Sequence, residues 1–216
     1  MDNHLSANFL DLTADELQRL AIEEVLKRHL IERDVRALIY PAGKCELPYE
    51  MAQHGISVTA MDEASWSPSC QKRIAKEGLE ANISFAAGTL KNLDAVLPNE
   101  PFDVVVCRRG LCSLPYAEAK AVIRQLMRKL RIGGKLYISV LGIHSELGDD
   151  YAGLDKPVKE RYFPLSPARA KKYGIDGSLC LYGERDVFLL LLEAGASVLR
   201  TFTSTHGSVK AVAVRV

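Results

Sequence analysis

The chain has 216 residues, with 28 Lys and Arg against 27 Asp and Glu, for a formal net charge of +1. That length predicts one domain at the usual ~100–200 residues each, and 48% hydrophobic with 25% charged residues excludes a disordered chain. Near-neutrality removes the electrostatic signature of a dedicated nucleic-acid binder, and no apolar run approaches the ~18–20 residues that span a bilayer.

Residues 1–12 read as a loose arm. Thr13-Ala14-Asp15-Glu16 then reads as a capping box, and apolar positions at Ile22, Val25, Leu26, His29 and Leu30 predict one amphipathic helix over 14–33. Residues 1–34 are thus an arm and a covering helix. From Arg36 the period changes. Short β-rich runs at 37–40, 56–61, 83–87, 102–107 and 135–141 alternate with stretches of helical spacing at 46–54, 68–78, 90–96 and 116–130. This alternation predicts βαβ units and a parallel sheet covered on both faces, joined by right-handed crossovers. Residues 142–183 show no sustained period, are too long for an ordinary connection, and hold five aromatics: Tyr151, Tyr162, Phe163, Tyr173 and Tyr182. The segment begins acidic (Glu146, Asp149, Asp150, Asp155) and turns basic (Lys156, Lys159, Arg161, Arg169, Lys171, Lys172). An insertion of this kind is a lid over substrate, a docking surface for a partner protein, or a plain surface excursion. A helix over 184–194 follows, and runs at 197–203 and 209–216, joined by a turn at Gly207, predict a β-hairpin that ends the sheet with an antiparallel edge.

Five cysteines (45, 70, 107, 112 and 180) without CxxC spacing suggest reduced thiols in a cytosol, and no metal site. The N-terminus shows no basic region followed by an apolar one, so a cytoplasmic protein without a signal peptide is expected.

Ligands of an open parallel sheet bind beyond the carboxyl ends of its strands. Two features meet there: the turn Pro41-Ala42-Gly43-Lys44-Cys45 after the first strand, and Asp62 closing the second. Nineteen residues separate Gly43 from Asp62, close to the ~20-residue gap between a nucleotide-binding turn and a ribose-binding acid. The other reading of Asp62 is a cap on the helix that follows.

The order of elements over 36–141 and 184–216 resembles the class I S-adenosylmethionine-dependent methyltransferases. The resemblance is carried by His54 to Asp62, by Phe102 to Cys107, and by Leu130-Arg131-Ile132-Gly133-Gly134-Lys135-Leu136 before the fifth strand. It implies a three-layer Rossmann-like α/β fold, with a mostly parallel seven-stranded sheet and an antiparallel C-terminal hairpin, as a single domain over 1–216. It also implies S-adenosylmethionine as cofactor, bound by Gly43, Asp62, Thr89 and Cys107. This sequence departs from the family's first motif: Ile39 stands at its acid, and Pro41 and Cys45 at two of its three glycines. Thr89 likewise replaces the acid of the third motif. Arg109 and Tyr162 are the substrate-side candidates, since adjacent guanidiniums at Arg108 and Arg109 suit a carboxylate or phosphate. His144, just past the fifth strand, is the candidate general base. The function expected is methyl transfer to a small molecule. The alternative, motivated by the departures at Ile39, Pro41, Cys45 and Thr89, is a non-catalytic relative serving as a binding or scaffold module; a third reading places a different ligand, such as a nucleotide, in the same cleft. Neither nucleic acid nor membrane is an expected partner.

Overall fold

The computed structural model describes residues 15–32 and 34–216. The Thr13 end of the expected capping box lies outside them. The helix that follows, α1 (Glu16–His29), is capped by Asp15, whose carboxylate accepts from the Leu17 N–H at 3.1 Å. Its buried stripe is Leu17, Ala21 and Val25, and Leu30 is solvent-exposed. The helix therefore sits on the sheet by an i, i+4 ridge that begins earlier than the expected one.

Five parallel strands follow: β1 (Arg36–Tyr40), β2 (Ser57–Asp62), β3 (Ile83–Ala87), β4 (Phe102–Arg108) and β5 (Leu130–Val140). Between them run α2 (Glu46–Ala52), α3 (Ser67–Lys76), α4 (Leu93–Val96) and α5 (Tyr116–Lys129). The insertion contributes a two-residue ribbon, β6 (Phe163–Pro164) with β7 (Ser178–Leu179), and helix α6 (Pro167–Tyr173) between them. Helix α7 (Glu184–Glu193) leads to the closing hairpin β8 (Ser197–Thr203) and β9 (Val209–Val214). The sheet order is β3-β2-β1-β4-β5-β9-β8, with β9 antiparallel to β5. The seven-stranded, mostly parallel sheet with an antiparallel hairpin is the arrangement expected from the sequence. Strand β5 begins earlier than expected, at Leu130, which pairs with Phe102 before the chain bulges through Gly133 (φ +76°) and resumes pairing at Lys135 opposite Val104.

Alternation along β1 divides the core. Ala37 and Ile39 face the side covered by α1, α2 and α3, while Leu38 faces the side covered by α5 and α7. The second side also receives the insertion, whose Tyr151, Leu165, Ile175, Leu179, Cys180, Leu181 and Tyr182 are buried in the same cluster as Phe102 and Leu136. Residues 142–183 are thus built into the principal core. Their acidic start folds back on their basic half: Arg169 pairs with Glu146 and with Asp149 (2.6 Å), and Lys172 and the Tyr173 hydroxyl also reach Glu146. Arg161, nearly buried, bonds the carbonyls of Lys156 and Leu181 and the carboxylate of Asp186 (2.7 Å), locking the insertion to α7.

The expectation of five reduced thiols is corrected. Cys45, at the start of α2, and Cys70, in α3, are joined as a disulfide with Cα atoms 5.6 Å apart. Twenty-five residues separate them in sequence, and only the packing of the β1 turn against α3 brings them together. Cys107, Cys112 and Cys180 are free and buried. Among the described residues there is no group of side chains that could hold a metal ion, and no helix long and apolar enough to cross a membrane.

Candidate active site

The direction of chain travel reverses between β1 and β4, so the crevice at the switch point lies between the turn after β1 and the loop after β4. The turn leaves β1 through a cis Tyr40-Pro41 bond and reaches Gly43, which has φ +53°. A side chain there would pay the left-handed backbone cost that glycine avoids. A Cβ built on Gly43 meets nothing within 4 Å, so this face of the turn looks into open space.

Asp62 ends β2 behind the turn and is 3% exposed. One carboxylate oxygen accepts from the Gly43 N–H at 2.8 Å, and the other from the Glu63 N–H at 2.9 Å. The backbone adds Ala42 N–H to Met61 O and Gly88 N–H to Asp62 O, so the turns after β1, β2 and β3 are sewn together around this acid. Asp62 therefore fixes the Gly43 turn, and does not cap the start of α3. Further support for the turn comes from Arg73, which donates to the Lys44 carbonyl at 3.1 Å, and from the Cys45–Cys70 disulfide. Cys45 itself holds a left-handed conformation, φ +58°.

Ile39, at the position of the family's acid, is fully buried against α1, α2 and α3 and offers the crevice no polar group. Thr89 stands in the loop after β3, where its N–H donates to the Asn92 side chain at 2.7 Å and its hydroxyl accepts from the Lys91 N–H at 3.3 Å. Cys107 is fully buried at the end of β4, and its desolvated thiol is pushed up to about 12. Gly43, Asp62 and Thr89 are brought to one end of the sheet, while Cys107 is buried in β4 opposite Tyr40.

Arg109 opens the loop after β4 with φ +59°, a conformation that costs a non-glycine residue on the order of 1–2 kcal/mol. Its N–H donates to the Ser139 carbonyl at 2.7 Å, holding the loop against β5. Tyr162 reaches the same loop from the insertion, donating its hydroxyl to the Ser113 carbonyl at 2.9 Å. Arg109 and Tyr162 thus stand on the β4 wall of the crevice. His144 lies apart from them. It is exposed beyond β5 and lines an open hollow of about 660 Å³ with Ile143, Ser145, Asp149, Asp150 and Arg169. β5 is three strands from β2, which places this hollow roughly 14 Å across the sheet from Asp62 at ~4.8 Å per strand.

The residue that sequence reasoning missed is Tyr40. Its ring extends from the end of β1 across the switch point to Gly110 and Leu90: a Cβ placed on Gly110 would lie 2.5 Å from Tyr40 Cε1 and 2.9 Å from Leu90 Cδ1. Burial pushes the Tyr40 phenol pKa well up, and the charges of Asp62 and Glu63 push it further. The only signal in the sequence was a bulky aromatic beside a turn that in the family is built of small residues.

Residues 37–134 match the family model described as a methyltransferase domain. The methyltransferase fold extends over the rest of the described chain. A SAM-dependent methyltransferase from Methanosarcina mazei superposes with a TM-score of 0.67 at 19% identity, covering 88% of this chain and 97% of that one. The CcbJ methyltransferase from Streptomyces caelestis gives 0.66 at 15%, covering 90% and 89%. A protein from Pyrococcus horikoshii gives 0.66 at 16%, covering 96% and 95%. At these identities the neighbours establish the fold alone. By sequence, no curated protein matches the chain. The methyltransferase frame fits an adenosyl cofactor at two points: the open side of the Gly43 turn, and an acid at the end of β2.

Proposed function

We propose that the protein is an S-adenosylmethionine-dependent methyltransferase acting on a small molecule. The observation that carries this reading is the Asp62–Gly43 pair: a glycine turn facing open space, held at 2.8 Å by a carboxylate at the end of the neighbouring strand, at the switch point of a methyltransferase sheet. In this role Asp62 and the backbone of Gly43 hold the adenosyl group, with Thr89 beside its base and Cys107 as apolar floor. When bound, the cofactor supplies a methyl group already activated on a sulfonium. The protein's own contribution is orientation and exclusion of water; positioning of this kind is worth up to ~7–11 kcal/mol of barrier. Arg109 and Tyr162, on the β4 wall, orient an anionic or polar substrate. A cytoplasmic setting belongs to the same proposal, supported by three free buried thiols; the cystine sulfurs belong to fully buried residues, where reductants have no direct access.

A second reading, a non-catalytic module with the same fold, is favoured by one specific observation: the turn carries no acid of its own, since Ile39 is in the core, and Cys45 is tied up in the disulfide. Calorimetric titration with S-adenosylmethionine and S-adenosylhomocysteine separates the two. Binding that Asp62→Ala weakens at least tenfold supports the enzyme. Absence of heat at millimolar ligand, from folded protein, rejects it in favour of the module.

A further inference from the structure

The switch-point crevice is where a ligand of this sheet must enter, and one side chain of the protein already lies across it. We propose that Tyr40 is a built-in plug of the cofactor crevice, excluding an adenosyl ligand until its ring swings out. The inference rests on the methyltransferase reading and concerns a residue that the family's motif does not use.

Three observations support it. The strand order fixes the crevice between the loops after β1 and β4, and the Tyr40 ring runs from the first of these to the second. The fit is close on the far side, where Gly110 has no space for a Cβ because Tyr40 and Leu90 already fill it. Tyr40 also stands opposite Cys107 in the β1–β4 pairing and packs against the core cluster that contains it. No hydrogen bond ties the phenol down among those described, so packing alone holds the ring against rotation about its side-chain bonds. A closed plug lowers apparent affinity by the fraction of time the crevice is open, and removing the ring removes that penalty.

The test is calorimetric titration of S-adenosylhomocysteine into the full chain, as wild type, Tyr40→Ala and Tyr40→Phe. The plug predicts that Tyr40→Ala binds at least tenfold more tightly than wild type, while Tyr40→Phe, which keeps the ring, stays within about threefold of it. Wild type and Tyr40→Ala binding equally, or the alanine variant binding more weakly, overturns the plug and leaves the cofactor reading standing. Binding by Tyr40→Ala with none by wild type supports the plug and overturns the native chain as a methyltransferase. Silence from all three proteins overturns both. Should the alanine variant not fold, Tyr40→Leu carries the same outcomes, because it keeps apolar contact with Leu90 while vacating the far half of the ring's volume.

Discussion

Reducing the Cys45–Cys70 disulfide should destabilise the protein by about 3.5 kcal/mol. The bridge closes a loop of 25 residues, and the chain-entropy relation gives such a loop about 12 cal/mol/K of denatured-state entropy, which is the quoted free energy at 25 °C. For a chain of this size each kcal/mol moves Tm by ~2–4 °C, so the reduced protein should melt about 7–14 °C lower. Urea unfolding of oxidised wild type against wild type refolded and held in reductant is the cleanest comparison, since both states keep the same side chains. The free thiols supply a control: alkylation of denatured, unreduced protein should label Cys107, Cys112 and Cys180 and spare the other two. Five labels would refute the bridge outright. Three labels with a change below about 1 kcal/mol would refute the entropic account of what the bridge does.

The buried Lys210–Asp15 ion pair joins β9 to the cap of α1. Lys210→Met leaves a buried carboxylate without its cation and should cost about 3–5 kcal/mol by urea unfolding; the Asp15→Asn/Lys210→Met double variant should lose less than the sum of the two single changes. Glu146 is held near pKa 2, well below the ordinary carboxylate range, first by its bond to Lys172 and then by the Tyr173 hydroxyl and Arg169. Because the folded value is depressed, its contribution is complete above about pH 4.5 and is lost as pH falls towards 2. Protection of α6 amides, expressed relative to the intrinsic exchange rate at each pH, should fall across that window, more so at low salt; constant protection would contradict the pairing. Gly142→Ala should prevent normal folding, since its Cβ would fall on the Gly207 carbonyl; soluble protein with a wild-type melting curve would show that the β5 and β8–β9 turns are not packed as described.

Much of the architecture was readable from local pattern. Apolar runs ending at Tyr40, Asp62, Ala87 and Cys107 mark strands because a parallel sheet buried on both faces demands continuous apolar stretches. Asp62 was also readable, as a carboxylate at a strand end the right distance after a glycine turn. Its engagement with the Gly43 and Glu63 amides was not, because that depends on how two turns nest. The same limit applies to Cys45 and Cys70, which no spacing rule pairs. Residues 142–183 lacked a period because each of their buried groups docks separately: Tyr151 on the Leu179 carbonyl at 2.6 Å, Cys180 on Cys112, Tyr182 on Leu141. Their segregated charges looked like a surface for something else, but Glu146, Asp149, Arg169 and Lys172 are spent on one another, and Arg161 and Lys159 on Asp186 and Glu193 of α7. Tyr40 was visible as a residue, but where its ring would go depends on Leu90 and Gly110, which belong to two other loops.

The Asp15–Lys210 pair also bears on how the chain is made. Asp15 leaves the ribosome 195 positions ahead of its partner. Until β9 emerges, the cap of α1 is an acid with nowhere dry to go, so α1 has reason to stay undocked from the far edge of the sheet while β1 to β5 assemble. Strand β9 must then slip between β5 and β8, so closure of the sheet waits for β9 itself. A ribosome-stalled chain ending before residue 209 should therefore hold a protease-sensitive α1, however well its parallel strands have paired.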